Sequence, residues 1–215
     1  MHNRTLSLIL VMFLITFLSN IAYSQVRNTI VDTNSVWSIS NQIVYPNPPP
    51  PTSSFLHLSG DTIIDSKHYT KIWENNDLYL TDSMRFCGFI REENKKTYYR
   101  YDNESLIYDF SLPIGKSIVF NDIWFTNIMI DSVKINGNKY KQMKLSNGYD
   151  TISLIEKIGS IDQGLFYTLH IGYTGSWEHL LCYFNNNNCL YSNPNFNNCS
   201  LSVDKPTKKK KRKKQ

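Results

Sequence analysis

Between Gln25 and Asp204 no segment carries apolar residues at the three-and-four spacing of an amphipathic helix. That absence excludes helical bundles. It also removes the crossover helices that a parallel sheet needs. No pair of residues has a C-x-x-C or H-E-x-x-H spacing, so the four cysteines and five histidines form no recognisable zinc set. Ser160 lies between glycines in "IGSIDQGL" but lacks the G-x-S-x-G spacing and the following helix of a nucleophile elbow. A basic body is missing too, although the net charge is +5. Of the 23 Lys and Arg residues, eight lie within 205–215 and one is Arg4, which leaves 14 against 18 acids, a net of −4. A body of that sign has no footprint for phosphate backbones. The charge belongs to the tail "KPTKKKKRKKQ", read as a disordered basic tail over 201–215.

The one long hydrophobic run, Leu6–Leu18, follows Arg4 and is shorter than the roughly 20 residues of a membrane span. Ala22-Tyr23-Ser24 supplies small residues at the positions a signal peptidase inspects. Residues 1–24 therefore read as a signal peptide, cleaved between Ser24 and Gln25, with no transmembrane span left afterwards. The expected location is exported: periplasmic, or extracellular and cell-surface if a sorting signal acts. Disulfides are permitted there, and four cysteines allow three complete pairings. Cys182 with Cys199 is the favoured pair, since the two flank the polar stretch "NNNNCLYSNPNFNN", which gains stability when closed. Cys87 and Cys189 are left as a second pair or as free thiols.

Residues 25–54 read as an extended, proline-containing segment, with Pro48–Pro51 in polyproline II. From 55 to 200 short alternating runs are cut by turn residues, the pattern of a single antiparallel β domain. "FLHLSGDTII" and "HYTKIW" flank Asp65-Ser66-Lys67, while "RFCGFIRE" and "KTYYRYD" flank Glu93-Asn94-Lys95. "DSVKINGNKYKQMKL" centres on Asn136-Gly137, whose tolerance of positive φ suits a two-residue type I′ loop. "TISLIEKIGS", "FYTLHIGYT" and "HLLCYF" complete the series. The expectation is an all-β antiparallel meander of about ten strands, barrel-like or sandwich-like.

Several residues invite chemistry. His57 and His68 stand near the ends of successive strands, where they would meet across a hairpin as metal ligands; His170 and His179, with Cys182 and Cys189, extend that set. Each is explained as well by an ordinary polar strand position, so no metal or cofactor is expected. Asp61, Asp65, Glu92, Glu93, Glu156 and Glu178 supply carboxylates for a hydrolase, though most fall at turns. Glu156, among Leu154, Ile155 and Ile158, is the one expected to be partly buried. Four tryptophans and fourteen tyrosines fit a β core and fit equally a flat platform for carbohydrate or peptide, with "KTYYRY" the segment expected to show rings outside.

"SGDTIIDSKHYTKIW" (59–73), "GFIREENKKTYYRY" (88–101), "SLIYDFSLPIGKSI" (105–118), "DSVKINGNKYKQMKL" (131–145), "LIEKIGSIDQGLF" (154–166) and "LLCYFNNNNCLYSNPNFNNC" (180–199) occur in an order and spacing that resembles a family of exported Bacteroidota-type proteins. The resemblance spans roughly 55–204. It implies export, a β-rich body and no catalytic residues to carry over. Family members commonly end in a type IX secretion sorting domain, and here "KKKKRKKQ" stands in its place. The leading function is a non-catalytic binding or structural surface domain whose partner is carbohydrate or protein at the cell surface. The alternatives are a secreted hydrolase acting on carbohydrate or peptide, and an anionic-surface binder working through the tail.

Overall fold

A computed structural model describes residues 30–43, 50–80, 83–166 and 176–201. Thirteen strands and no helix occupy them: β1 (Ser35–Ile43), β2 (Thr52–Ile64), β3 (Lys67–Asn75), β4 (Arg85–Glu93), β5 (Lys96–Arg100), β6 (Glu104–Asp109), β7 (Ser117–Phe120), β8 (Ile123–Ile135), β9 (Asn138–Ser146), β10 (Thr151–Ile155), β11 (Gly159–Ser160), β12 (Ser176–Asn185) and β13 (Asn188–Ser192). One sheet has eight strands in the order β13-β12-β1-β2-β3-β4-β5-β6, and the other has five in the order β11-β10-β9-β8-β7. Every pairing is antiparallel.

Tight loops dictate the meander. Asp65-Ser66, Asn94-Lys95, Asn121-Asp122, Asn136-Gly137 and Asn186-Asn187 all have both φ angles positive, between 46° and 81°. This is the backbone of a type I′ turn, whose twist matches that of the strands it joins. Asn and Asp tolerate it because their short polar side chains make the left-handed region less costly than it is for other residues. The loops after β2 and β4 are thus two residues long, one shorter than the sequence suggested.

The sheets enclose one core. Trp37, Ile39, Leu56, Leu58, Ile72, Ile90 and Ile107 from the larger sheet pack with Phe120, Phe125, Met143, Leu145, Ile152 and Leu154 from the smaller. Polar tethers cross the same space: the Trp37 indole donates to the Ile158 carbonyl at 2.7 Å, Lys141 Nζ donates to the Phe110 carbonyl at 2.5 Å, and the Tyr108 hydroxyl donates to the Leu165 carbonyl. Burying each large aliphatic or aromatic side chain contributes about 1.5–3 kcal/mol, which makes this shared layer the main source of stability.

The domain begins earlier than residue 55. β1 lies within the larger sheet, between β2 and β12, with Trp37 fully buried. Its alternation was concealed because Ser35, Ser38 and Ser40 are buried as well, so polar letters occupy inward and covered positions alike. β13 is hidden in the same way within the polar stretch "NNNNCLYSNPNFNN", where Asn186-Asn187 is a hairpin turn and Asn188–Ser192 pairs with β12. The strand expected over "FYTLHIGYT" falls outside the described residues apart from Phe166, and the proline run is described only at Pro50 and Pro51.

Candidate functional site

Alternation along β3, β4 and β5 sends Ile72, Ile90 and Tyr99 toward the core and Trp73, Phe89 and Tyr98 to the opposite face. A register shift in the β3–β4 pairing places Phe86 opposite Trp73 and Phe89 opposite Lys71. Gly88 makes that shift possible: its φ is +123°, and a Cβ there would lie 2.8 Å from the Arg100 carbonyl oxygen and from the Tyr99 ring. The result is a row of rings on the outer face. Trp73 and Phe86 have centroids 5.5 Å apart, Phe86 and Phe89 5.0 Å, and Phe89 and Tyr69 6.3 Å, all edge to face. Tyr101, 59% exposed, stacks on Phe86 with an interplanar angle of 30°. The Trp73 indole donates to the Ser59 carbonyl at 2.9 Å, which fixes its plane.

One end of the row is closed by charge. Arg91, only 7% exposed, donates through Nε and Nη2 to the two oxygens of Glu104, at 2.7 and 2.9 Å, and through Nη1 to Glu93 at 2.8 Å. Its guanidinium lies 4.0 Å from the centroid of the Tyr98 ring and 5.7 Å from that of Tyr69. Glu104 also accepts from Lys67 Nζ at 3.0 Å and from the Tyr69 hydroxyl. The bonds from Arg91 hold the Glu104 carboxyl far below its ordinary range, and the same bonds raise Arg91. Arg100 reaches Asp65 in the β2–β3 turn at 2.6 Å. Arg91 and Glu104 thus hold each other in their charged forms.

Among the described residues the histidines and carboxylates singled out in the sequence do not gather into one site, whereas Cys182 and Cys189 do lie close together. His57, opposite Trp73, is buried and bonds Asn75 Oδ1 at 3.1 Å and the Asp77 carbonyl at 3.2 Å; His68 lies opposite Ile63 at the far end of the hairpin. His179 contacts the Asp162 carbonyl at 3.3 Å and the Phe196 ring, and His170 is outside the described residues. Ser160 is buried and accepts from the Gln163 amide at 3.3 Å. Asp61 accepts from Thr70, Asp65 pairs with Arg100, Glu92 accepts from the Ile30 amide, and Glu93 pairs with Arg91. Glu156 is half-buried in the turn between β10 and β11, and Glu178 is half-buried on β12. Sequence reasoning missed Glu104, which reads as a turn residue after Asp102-Asn103. It also missed the pairing of Trp73 with Phe86, for which a Gly two residues past Phe86 was the available sign of a bulge.

Cys182 and Cys199 are joined, with Cα atoms 5.3 Å apart. The bond holds the C-terminal segment over an apolar cluster of Val36, Phe55 and Phe184 on the outer face of β1, β2 and β12. Cys87 and Cys189 do not pair with each other. Cys87 is half-buried beside Glu74, and burial first, with the Glu74 charge second, pushes its thiol up to about 11; burial also raises the thiol of Cys189, which lies on β13. Ser24, Gln25 and the tail beyond Leu201 lie outside the described residues.

The smaller sheet also exposes a ring, Trp124, 66% exposed and paired across the strand with Val119. No ring contact involving Trp124 occurs among the described residues, so it does not extend into a row. Compared with known proteins, the chain matches no family model, no curated protein and no solved structure.

Proposed function

We propose that this chain is an exported protein whose β domain is a non-catalytic binding module for carbohydrate at the cell surface. The observation that carries the reading is the row Phe89–Phe86–Trp73 on the outer face, half-buried and topped by the exposed Tyr101 on Phe86, with the fully buried Tyr69 backing it at the Arg91 end. Flat rings offer apolar faces to the C–H faces of sugars, while Tyr hydroxyls at the rim supply adaptable hydrogen bonds. Burial of Arg91 against Glu104 and Tyr98 keeps one wall of that face rigid, which lowers the entropic cost of binding. Export is supported by the N-terminal apolar run with its small-residue cleavage site, by the family resemblance, and by the bonded Cys182–Cys199 pair. Among the described residues no helix is long and apolar enough to cross a membrane.

Affinity electrophoresis of the chain through gels containing a panel of soluble polysaccharides tests the reading. Retardation by at least one neutral polysaccharide is expected. Tyr101→Ala and Trp73→Ala are each expected to weaken that binding about tenfold, corresponding to loss of one stacked ring, while Trp124→Ala leaves it unchanged. Binding that survives both substitutions on β3–β5, or that is lost with Trp124→Ala, would place the ligand elsewhere.

A further inference from the structure

The sulfur atoms of Cys182, Cys189 and Cys199 all lie within 4.8 Å of one another. Two of them are bonded, and the third is a free thiol at an exposed position. The register of the β12–β13 hairpin creates this arrangement: it shifts between Tyr183 and Phe184, so that Cys189 sits opposite Phe184 while Cys182 sits opposite Ser192. A thiol this close to a disulfide has the starting geometry for exchange, in which a thiolate attacks one sulfur and expels the other.

We propose that Cys189 exchanges with the Cys182–Cys199 disulfide, forming a Cys182–Cys189 bond between neighbouring strands and releasing Cys199 together with the C-terminal segment it anchors. Cys189 Sγ gives its proton to solvent and bonds to Cys182 Sγ. The Cys182–Cys199 bond breaks with its electron pair on Cys199 Sγ, which takes up a proton. Nothing is oxidised or reduced overall, so no outside reagent is needed. Cys199 is the better leaving group because it is partly exposed, whereas Cys182 is fully buried beside Val36, Phe55 and Phe184, where a thiolate is poorly solvated. After exchange the described part of the C-terminal segment is held to the sheet by noncovalent contacts: Ser38 Oγ to the Cys199 carbonyl, the Leu201 amide to Ser53 Oγ at 2.9 Å, Ser53 Oγ with Ser200 Oγ at 3.4 Å and with the Leu201 carbonyl at 3.5 Å, and the Phe196 ring against His179. The exchange is a covalent latch on the strip of chain that covers the outer face of β1 and β2, and it is independent of the ligand proposed for β3–β5.

Differential alkylation of the full chain, purified without reductant, tests this. The protein is held in mildly alkaline buffer, quenched with a maleimide at intervals, digested and mapped by mass spectrometry. The expected result is a Cys182–Cys189 peptide that accumulates while label appears on Cys199 and disappears from Cys189 in equal measure, with label on Cys87 constant. In Cys189→Ser the Cys182–Cys199 bond persists and Cys199 stays unlabelled. Three results would overturn the proposal: unchanged Cys182–Cys199 pairing with Cys189 fully labelled throughout, new bonds to Cys87 or between chains, or labelling of Cys199 in Cys189→Ser at the parent rate.

Discussion

Glu104 accepts hydrogen bonds from Arg91 Nε, Arg91 Nη2, Lys67 and the Tyr69 hydroxyl, and thereby joins β3, β4 and β6 on the outer face. Replacing it with Gln leaves the mostly buried Arg91 guanidinium with one exposed carboxylate, Glu93. Glu104→Gln is expected to destabilise the domain by about 2 kcal/mol in chemical denaturation, the loss associated with hydrogen bonds to a charged group. The pH dependence follows from the depressed carboxyl. A group whose folded-state pKa lies below its ordinary value of 4.5 contributes stability that is fully present above that value and declines as the pH falls further. Denaturation midpoints of the parent chain are therefore expected to fall on acidification below about pH 4.5, and those of Glu104→Gln to fall less steeply. None of this was legible in the sequence. Glu104 follows Asp102-Asn103 and looks like one more solvated turn acid, and only the strand pairing reveals the arginine two strands away.

The hairpins were the most legible elements, because their information is local. Asn136-Gly137 specifies its own turn, and Asp65-Ser66 and Asn94-Lys95 differ from expectation by a single residue of loop length. β1 and β13 were not legible. β1 hides behind buried serines, and β13 is so rich in Asn that its strand resembles the turn preceding it. The bulge at Gly88 lies between these cases, visible as a glycine inside a strand but not as the feature that aligns Phe86 with Trp73. Two alanine substitutions separate backbone strain from steric overlap. At Gly137 (φ +81°) an added Cβ meets open space, so Gly137→Ala is expected to cost about 1 kcal/mol from the left-handed conformation alone. At Gly88 the same atom collides with backbone and with the Tyr99 ring, so Gly88→Ala is expected to cost about 3 kcal/mol and to disturb the ring row. Thermal unfolding followed by tyrosine fluorescence measures both; equal costs would mean the bulge relaxes freely.

At the scale of the molecule, two sheets close on one core, and the outer face of the larger sheet is left with two different surfaces. One, over β1, β2 and β12, is covered by the C-terminal segment through Cys182–Cys199. The other, over β3–β5, carries the aromatic row. Closing the loop between residues 182 and 199 restricts the unfolded chain, and Cys182→Ala combined with Cys199→Ala is expected to lower the unfolding free energy by about 3 kcal/mol in urea. The all-β antiparallel class was readable from composition and spacing, since a chain without helical periodicity and with closely spaced turns has few other options. The division into covered and open surfaces was not, because it depends on which tryptophan faces where: Trp37 is core, Trp73 belongs to the row and Trp124 is exposed on the other sheet. The most direct test of the binding face is a titration of isotope-labelled chain with an oligosaccharide of a retarding polysaccharide, followed by amide chemical shifts. Shifts are expected to concentrate at residues 69–73, 86–91 and 98–101; shifts confined to the smaller sheet around Trp124, or no shifts with any retarding polysaccharide, would rule out a binding face on β3–β5.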